Sequence, residues 1–330
     1  MFDKANILVT GGTGSFGKRF IKTVLESFNP QRLIVFSRDE LKQSEMQTEF
    51  PETKYPAMRY FIGDIRDESR MTMAMRNVDF VIHAAALKQV PAAEYNPFEC
   101  VKTNIQGAEN VVNAAIQCGV KKVIALSTDK AANPINLYGA TKLASDKIFV
   151  AGNNLSGTNG TRFSVVRYGN VIGSRGSVIP YWQKLIAEGS TTLPITNPKM
   201  TRFWITLDQG VQFVINSIEQ AVGGEIFIPK LPSAKIVDIA KALLPNCKLE
   251  TIGIRPGEKL HEVMVTIDDA RLTKEFEDYY IIEPAFAFWT ENSYTGGKGG
   301  KPVADDFEYK SETNSQRLSP EQLQQFLVSS

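Results

Sequence analysis

The chain has 330 residues, a formal net charge of +1, 43% apolar residues and 22% charged residues. These values are typical of a globular protein with a sizeable core, and the near-neutral charge argues against nucleic acid or a membrane surface as a partner. Three scattered cysteines, no Cys-x-x-Cys pair and two histidines argue against a disulfide framework and against a metal site.

The first predicted element follows almost directly on the N-terminus. Residues 5–10 (ANILVT) have the composition of a buried strand, and no apolar run in the chain reaches about 18 residues. We therefore expect neither a signal peptide nor a membrane span, and we expect the protein to be cytoplasmic.

Short β-branched runs alternate with helical stretches through the first half of the chain. Further strands are predicted at 32–37, 59–62, 79–83, 121–127 and 162–167, and the longest helix between them at 97–118. Pro97 suits the first turn of that helix and Gly119 its C-terminal end. The alternation predicts an α/β fold, with a Rossmann-type, doubly wound parallel sheet over residues 1–167.

A glycine-rich turn, TGGTGSFG, joins the first strand to the first helix. The residues expected to touch a ligand there are Gly11, Thr13, Gly14, Ser15, Phe16 and Gly17. Glycines at this spacing let the backbone approach a pyrophosphate at a helix N-terminus, where free amides and the helix dipole favour negative charge. Because the turn follows the first strand and opens a helix, the motif predicts a dinucleotide site.

The second strand ends in Ser37, Arg38 and Asp39. A carboxylate at this position would accept a hydrogen bond from a ribose 2′-hydroxyl, whereas a hydroxyl and an arginine suit a 2′-phosphate. We therefore expect Ser37 and Arg38 to bind NADP. The alternative is that Asp39 turns toward the ribose, which would favour NAD.

The next two strand ends are predicted to complete the cofactor site. Asp64 and Ile65, in FIGDIRD, follow the third strand and are expected near the adenine. Ala84 and Ala85 follow the fourth strand and are also expected to contact the cofactor. His83 ends that strand, and as a lone histidine it is interpreted as structural.

A cluster of reactive side chains lies in STDKAANPINLYGATK, residues 127–142. Thr128, Asp129 and Lys130 come at the end of the fifth predicted strand. Tyr138 and Lys142 are four residues apart, so a helix that begins at Tyr138 places phenol and ammonium on one face. A nearby cation stabilises a phenolate, so we expect the pKa of Tyr138 to fall below its ordinary value of about 10. The alternative for this pair is an ordinary surface contact.

The second half of the chain is loop-rich after Arg167. Residues 168–330 are predicted to form mainly a smaller, partly discontinuous second domain, with strands or helices that return to the first. Residues 290–317 are polar and glycine-rich, which is typical of a disordered tail. The aromatic residues around and within this segment instead favour a segment that docks.

Several motifs together resemble the extended short-chain dehydrogenase/reductases. They are the glycine turn, Asp64 with Ile65, HAAALKQVP at 83–91, and Tyr138 with Lys142. Further motifs resemble the inverting UDP-N-acetylglucosamine 4,6-dehydratases that begin pseudaminic acid synthesis, up to about residue 285. They are the 127–142 segment, RYGNVIGSRGSVIP at 167–180, MTRFW at 200–204 and GIRPGEKLHE at 253–262. One departure is Gln89, where that family usually has histidine.

The resemblance implies an NADP-dependent lyase that moves a hydride from sugar C4 to C6 as water leaves across C5 and C6. Tyr138, with Lys142 lowering its pKa, would then take the proton of the 4-hydroxyl, and Thr128 would bind the 4-oxygen. Asp129 and Lys130 would act as the acid and base of the elimination. For Lys130 to act as a base it must be neutral, and we expect burial and nearby positive charges to lower its pKa.

The resemblance also implies the substrate residues, the assembly and the pathway. The residues expected to bind UDP-N-acetylglucosamine are Lys88, Asn170, Arg175, Arg202, Arg255 and Glu258. Arginines would hold the diphosphate, and Glu258 a ribose hydroxyl. A homo-oligomer, either a dimer through the helices near Pro97 and Tyr138 or a hexamer, is expected. The product would serve pseudaminic acid synthesis for glycosylation of flagellin or another surface protein.

Three other functions remain open from the sequence. A UDP-sugar 4-epimerase shares Tyr138 and Lys142 but does not need an acid and a base for elimination. A retaining 4,6-dehydratase would differ in the configuration at C5. A non-enzymatic NADP sensor would keep the glycines but would not need the tyrosine and lysine.

Overall fold

The structure is a computed structural model that describes residues 1–174, 176–290 and 294–328. Its helices are α1 (Ser15–Ser27), α2 (Glu40–Glu49), α3 (Glu68–Ala74), α4 (Val90–Tyr95), α5 (Pro97–Val101), α6 (Gly107–Cys118), α7 (Leu137–Ser156), α8 (Val178–Ala187), α9 (Leu207–Gln220), α10 (Ile236–Leu243) and α11 (Pro320–Val328). Within these residues, none of the helices combines the length and apolar character that a bilayer crossing needs.

The strands of the first half are β1 (Asn6–Thr10), β2 (Arg32–Ser37), β3 (Met58–Ile62), β4 (Phe80–His83), β5 (Lys122–Thr128), β6 (Arg162–Tyr168) and β7 (Asn170–Val171). Those of the second half are β8 (Thr192–Ile195), β9 (Thr201–Ile205), β10 (Ile226–Pro229), β11 (Ser233–Lys235), β12 (Lys248–Thr251), β13 (Val263–Val265), β14 (Thr273–Glu275), β15 (Tyr279–Ile282), β16 (Lys301–Pro302) and β17 (Tyr309–Lys310).

The central sheet has the strand order β16-β14-β15-β10-β6-β5-β4-β1-β2-β3. The seven strands from β10 to β3 are parallel, and β15, β14 and β16 extend the sheet in antiparallel pairing. Strands such as β1 and β5 are buried at consecutive positions, because helices cover both faces of a parallel sheet. This architecture confirms the predicted α/β fold with a mostly parallel, doubly wound sheet.

The chain changes direction across the sheet between β1 and β4. From β1 it proceeds outward to β2 and β3, and it then returns to form β4 on the other side of β1. In such sheets a crevice opens beyond the carboxyl ends of the strands at this switch point. The glycine-rich turn after β1 lies at this crevice.

The predicted strands of the first half match the observed ones to within one residue at each end. The predicted helix over 97–118 is also present and ends at Gly119, which has a left-handed backbone (φ 67°). It differs from the prediction in one respect, since a π-helical turn at Lys102–Gln106 separates α5 from α6.

The second half of the chain contributes to two parts of the molecule. Its strands β10, β14, β15 and β16 lie in the central sheet, whereas β9 pairs with β7 and β11 in a small separate sheet. A second apolar cluster forms around Trp182 and Trp204, and α11 packs against α10 there through Leu323. The division of the chain into domains at Arg167 stays a prediction.

The segment after β15 docks on the molecule, as its aromatic residues indicated. Trp289 and Tyr309 are buried, and the Tyr309 hydroxyl accepts a hydrogen bond from Leu231 N at 2.6 Å and donates one to Leu231 O at 3.0 Å. Phe286 and Phe288 are exposed and stack on each other. The part of the predicted segment at 291–293 lies outside the described residues.

Candidate active site

A cleft of about 720 Å³ opens at the switch point of the sheet, a size that suits a cofactor together with a small ligand. It is lined by residues from the ends of β1, β2, β4 and β5 and from the segment that follows β6. The cofactor and catalytic residues predicted from the sequence all line it: Gly11, Thr13, Gly14, Ser15, Phe16, Gly17, Ser37, Arg38, Asp64, Ile65, Ala84, Ala85, Thr128, Asp129, Lys130, Tyr138 and Lys142.

The glycine turn has no room for side chains. A Cβ on Gly11, whose φ is +65°, would lie 2.8 Å from Ala85 N, and a Cβ on Gly17 would lie 2.5 Å from Gly12 Cα. Gly14 is the N-cap of α1 and offers no side chain to the first-turn amides. The turn therefore forms a cradle of backbone N–H groups that fits the pyrophosphate of a dinucleotide.

The end of β2 presents a hydroxyl and an arginine to the cleft. Ser37 Oγ lies 3.0 Å from Thr13 Oγ1, and more than half of the Arg38 side chain is exposed. Asp39 is the N-cap of α2, where its carboxylate accepts a hydrogen bond from Lys42 N at 3.0 Å. Asp39 also lines the cleft, but both oxygens of its carboxylate accept hydrogen bonds from Lys42.

Asp64 and Ile65 lie at the end of the cleft beyond β3. The Asp64 carboxylate accepts from Arg66 Nη2 at 2.7 Å and lies 3.7 Å from Arg38 Nη1. Ile65 is buried against α6, where a Cβ on Gly107 would come within 2.7 Å of its Cδ1. The glycine that opens α6 thus lets Ile65 pack under the cleft.

His83 has a structural position at the end of β4. Its ring is 2% exposed, and Nδ1 lies 2.9 Å from Thr10 Oγ1. The same Thr10 hydroxyl accepts from Ala85 N at 3.3 Å, so this contact fixes the backbone beside the glycine turn. Burial, with a smaller effect of Lys142, lowers the pKa of His83 to about 3, which keeps the ring neutral.

Sequence reasoning missed Asn104, which holds the segment after β4 in place. Asn104 lies in the π-helical turn, donates to Leu87 O at 2.9 Å and accepts from Leu87 N at 2.8 Å. It also donates to Thr141 Oγ1 on α7 at 3.0 Å. Such π turns often occur at functional sites, but local sequence gives no clear signal for them.

The predicted reactive side chains meet at the end of β5. The Thr128 hydroxyl donates to Asp129 Oδ1 at 2.8 Å, and Lys130 Nζ donates to the same oxygen at 3.0 Å. Asn136 caps α7 by accepting from Gly139 N, so the helix places Tyr138 over these groups. The second carboxylate oxygen, Asp129 Oδ2, is buried without a hydrogen-bond partner among the described residues.

The expected fall in the pKa of Tyr138 is wrong. Burial raises the pKa of Tyr138 to about 12, although Lys130 and a hydrogen bond with Thr128 act in the opposite direction. Lys142 is itself buried, which lowers its pKa, while Asp146 one turn further along α7 raises it. Loss of solvation therefore outweighs the neighbouring cations at the phenol.

The expected fall in the pKa of Lys130 is wrong as well. Burial does lower it, but the carboxylates of Asp129 and Glu262 outweigh burial, and the pKa of Lys130 is raised. Glu262 Oε1 lies 3.3 Å from Lys130 Nζ and its side chain is 2% exposed. Glu262 is the last residue of the GIRPGEKLHE motif, but it was not predicted from the sequence to belong to the site.

The predicted substrate residues fall into different places. Lys88 and Asn170 line the cleft, near its exposed edge. Arg255 is 60% exposed and its Nε lies 3.3 Å from Glu258 Oε2, outside the lining of the cleft. Arg175 lies outside the described residues.

Arg202 is bound to the chain itself. It is 5% exposed, and its guanidinium donates to the backbone oxygens of Thr201, Lys259 and Leu260 at 2.8–3.1 Å. Its Nη2 also lies 3.5 Å from Glu258 Oε1. In this structure Arg202 fastens the 258–260 segment and does not line the cleft.

Comparison with known proteins gives matches that cover most of the chain. A model of the polysaccharide biosynthesis protein family matches residues 7–284. An inverting UDP-N-acetylglucosamine 4,6-dehydratase of Campylobacter jejuni serotype O:2 is 59% identical, over 98% of this chain and 97% of that relative. A UDP-glucose 4-epimerase of Rickettsia canadensis is 39% identical, over 99% of this chain and 96% of the epimerase.

Solved structures share the fold. Pen from Bacillus thuringiensis superimposes with a TM-score of 0.90 at 38% identity, over 100% of this chain and 98% of that chain. The dTDP-glucose 4,6-dehydratase DesIV from Streptomyces venezuelae, solved with NAD bound, gives a TM-score of 0.68 at 22% identity, over 77% of this chain and 86% of that chain. At that identity DesIV shows the common fold alone.

We expect His83 to make the protein less stable in acid. Its pKa of about 3 in the folded chain lies below the ordinary value of 6.5, so the unfolded chain binds the proton first as the pH falls. Stability is therefore lost progressively below about pH 6.5, by about 2 kcal/mol at pH 5. Urea unfolding at pH 7 and pH 5 should show a smaller loss for His83→Asn than for the wild type. Equal losses would contradict this account.

Proposed function

Because the chain belongs to the polysaccharide biosynthesis protein family, and within it to the inverting UDP-N-acetylglucosamine 4,6-dehydratases, we propose that it removes water from UDP-N-acetylglucosamine and inverts C5. The product would be UDP-2-acetamido-2,6-dideoxy-β-L-arabino-hex-4-ulose, and the enzyme would be a lyase. The observation that carries this proposal is the contact of Asp129 and Lys130 beside Tyr138 at the end of β5.

The first step is loss of hydrogen from C4 of the sugar. A nicotinamide cofactor, which the glycine cradle fits, would supply reversible hydride transfer. Tyr138 takes the proton of the 4-hydroxyl, and Thr128 holds the same oxygen. The raised pKa of Tyr138 means that its phenolate must be stabilised in the complex, where Lys142 and the positive charge of the oxidised ring would both act.

The elimination requires an acid and a base at the same time. In the structure Lys130 Nζ is 3.0 Å from Asp129 Oδ1, close enough for a proton to pass between them. Transfer of this proton makes Lys130 a neutral base and Asp129 a neutral acid in one event. Lys130 then takes the C5 proton while Asp129 protonates the departing 6-hydroxyl, which restores the ion pair.

NADP is the proposed cofactor. Ser37 and the exposed Arg38 are available for a 2′-phosphate, while Asp39 is held as the cap of α2. Asp64 and Ile65 would lie beside the adenine, and Ala84 and Ala85 beside the glycine turn. These roles rest on the positions of the residues around the cleft.

For the UDP-sugar we propose contacts with Lys88 and Asn170, which line the cleft. Arg255 is exposed, with its Nε 3.3 Å from Glu258 Oε2, and we propose that it turns toward a diphosphate while Glu258 meets a ribose hydroxyl. Arg175 remains a candidate for the diphosphate. Arg202 would reach the diphosphate only by leaving the carbonyls that it binds, so we propose that it supports the 258–260 segment instead.

The product would feed pseudaminic acid synthesis in the cytoplasm, for glycosylation of flagellin or another surface protein.

An epimerase is the second candidate, because a curated epimerase is 39% identical over nearly the whole chain. Epimerisation needs no acid and base across C5 and C6, so it gives no reason for the Asp129–Lys130 pair. A retaining dehydratase would also need an acid and a base across C5 and C6, and its product would differ in the configuration at C5.

We propose that the chain forms a homodimer through α4, α5 and α7, as a unit of the expected dimer or hexamer. Tyr95 is 88% exposed and Phe98 78% exposed on adjacent helices, and exposed apolar patches commonly mark protein interfaces.

Light scattering at micromolar concentration should give a dimer or a multiple of it. Phe98→Asp should shift this toward monomer, and Tyr181→Asp, an exposed site on α8, should not. A monomeric wild type would exclude this interface.

Arg38→Asp should weaken NADP binding by about tenfold or more and leave NAD binding nearly unchanged. A hydrogen bond to a charged group contributes about 1.5–3 kcal/mol, and the charge reversal would add repulsion. Calorimetric titration of cofactor-free protein would measure both affinities. Arg76→Asp, an exposed arginine outside the cleft, is the matched control. Equal affinity of the wild type for NADP and NAD would refute the proposed roles of Ser37 and Arg38.

In deuterated water the product of UDP-N-acetylglucosamine should carry one solvent deuterium at C5, while C6 should receive the hydrogen that began on C4.

Lys130→Ala should abolish elimination but keep the cofactor bound, since the glycine turn is untouched. Asp129→Asn should slow it about 10²- to 10⁴-fold. The exposed Lys121→Ala serves as control. NMR of the product decides the matter, and a D-xylo product or solvent deuterium at C6 would overturn the inverting assignment.

A further inference from the structure

We propose that Glu262 is the positioning residue of Lys130: it orients Nζ toward the substrate and stabilises the ammonium group that forms when Lys130 takes the C5 proton. This inference rests on the proposed function and extends it to a residue of the second half of the chain. Glu262 directly precedes β13, and its Oε1 is 3.3 Å from Lys130 Nζ.

The surroundings of Glu262 leave Lys130 as the nearest partner of its carboxylate. Arg202 Nε is further away, at 3.7 Å from Oε1, and the Arg202 nitrogens Nη1 and Nη2 are bound to backbone oxygens. Glu262 Oε2 is buried without a hydrogen-bond partner among the described residues. A buried carboxylate is unfavourable without a paired charge, so a purely structural position would be better filled by a neutral side chain.

The two carboxylates beside Lys130 have different surroundings. Asp129 Oδ1 accepts from both Thr128 and Lys130, and Asp129 is the group that must gain and then release a proton. The proposed reaction does not require Glu262 to gain or release a proton. Burial and Asp129 raise the pKa of Glu262, and the cations Lys130 and Arg202 act against this rise. As a carboxylate, Glu262 would orient Lys130 while Lys130 cycles between amine and ammonium, as the third group orients the base in other acid–base sites.

The proton step is balanced without any further reactant. The C5–H bond breaks, its proton forms a new N–H bond on Lys130 Nζ, and the electron pair forms the C5–C6 double bond. The C6–O bond breaks as Asp129 gives its proton to the leaving oxygen. Positive charge appears on Nζ during this step, 3.3 Å from Glu262 Oε1.

The chain holds Glu262 firmly in this position. Lys259 Nζ donates to Ala132 O at 2.6 Å, and Asn136 Nδ2 donates to Gly257 O at 2.7 Å. Glu262 N donates to Ser311 Oγ at 2.9 Å. The 257–262 segment is thus tied to the loop between β5 and α7, so the distance between Glu262 and Lys130 is fixed before substrate binds.

The pH dependence of the reaction should report this contact. The other charged and titratable groups around Lys130 and Glu262 are Asp129, Tyr138, Arg202 and Lys259. Removing the negative charge of Glu262 makes a further proton on the Asp129–Lys130 pair less stable, so a lower pH is needed to protonate the pair beyond the one proton that the reaction uses. A neutral side chain at 262 also cannot bind a proton itself, which moves the acid limb of the profile in the same direction.

The test compares Glu262→Gln, Glu262→Asp and the control Glu283→Gln, a partly buried glutamate that pairs with Lys274 away from the cleft. For Glu262→Gln we expect kcat to fall about 10- to 100-fold, as for other supporting partners of an active group, with KM nearly unchanged. The acid limb of the kcat profile should move about one pH unit lower. C5 exchange should fall with kcat, while the bound cofactor should be retained.

Glu262→Asp keeps the charge and should keep the acid limb of the wild type with a smaller loss of kcat. If Glu262→Gln does not fold, the kcat and the acid limb of Glu262→Asp test the inference. A wild-type kcat and profile in Glu262→Gln, or a lowered kcat with an unmoved limb that Glu262→Asp does not restore, would overturn the inference and leave the proposed function standing. If the wild type yields no 4-keto product, the proposed function falls and the inference falls with it.

Discussion

The ion pair between Lys130 and its two carboxylates is the interaction on which the arrangement of this molecule depends. Lys130 follows the end of a central strand and is 26% exposed, whereas the two carboxylates that it contacts are almost fully buried, and a buried charge is tolerated only where opposite charge is close. Asp129 comes from the same strand end, but Glu262 comes from the far half of the chain. Glu262 reaches Lys130 because the second half of the chain closes over the end of the sheet, where residues 257–262 are hydrogen-bonded to the loop between β5 and α7.

The sheet determines where this closure happens. Because the strand order reverses between β1 and β4, the glycine turn, Ser37 and the end of β5 all open on one side of the molecule. A dinucleotide whose pyrophosphate is bound by the turn would extend along the same cleft toward Tyr138 and Lys130. The fold thus brings cofactor binding and acid–base chemistry together without requiring either group of residues to be adjacent in sequence.

Local sequence patterns predicted much of the fold and of the cleft. The predictions that were wrong failed for physical reasons. The strands of the first half, the glycine turn and the start of α7 were predicted correctly, because these elements depend on the type and spacing of neighbouring residues. The pKa values of Tyr138 and Lys130 were predicted in the wrong direction, because burial and the approach of Glu262 depend on tertiary contacts. The π-helical turn around Asn104 and the internal partners of Arg202 could not be found either, since nothing in the spacing of their residues distinguishes them.

The hydrogen bonds that tie residues 257–262 to the loop between β5 and α7 have a consequence for behaviour on heating. The residues that precede this segment, 251–256, are exposed and 257–261 are half-buried, and regions with little burial open locally at a lower free energy than the core. Such an opening would separate Glu262 from Lys130 while the ten-stranded sheet stayed folded. Thermal inactivation would then precede melting, and the loss would be reversible as long as the sheet remained intact.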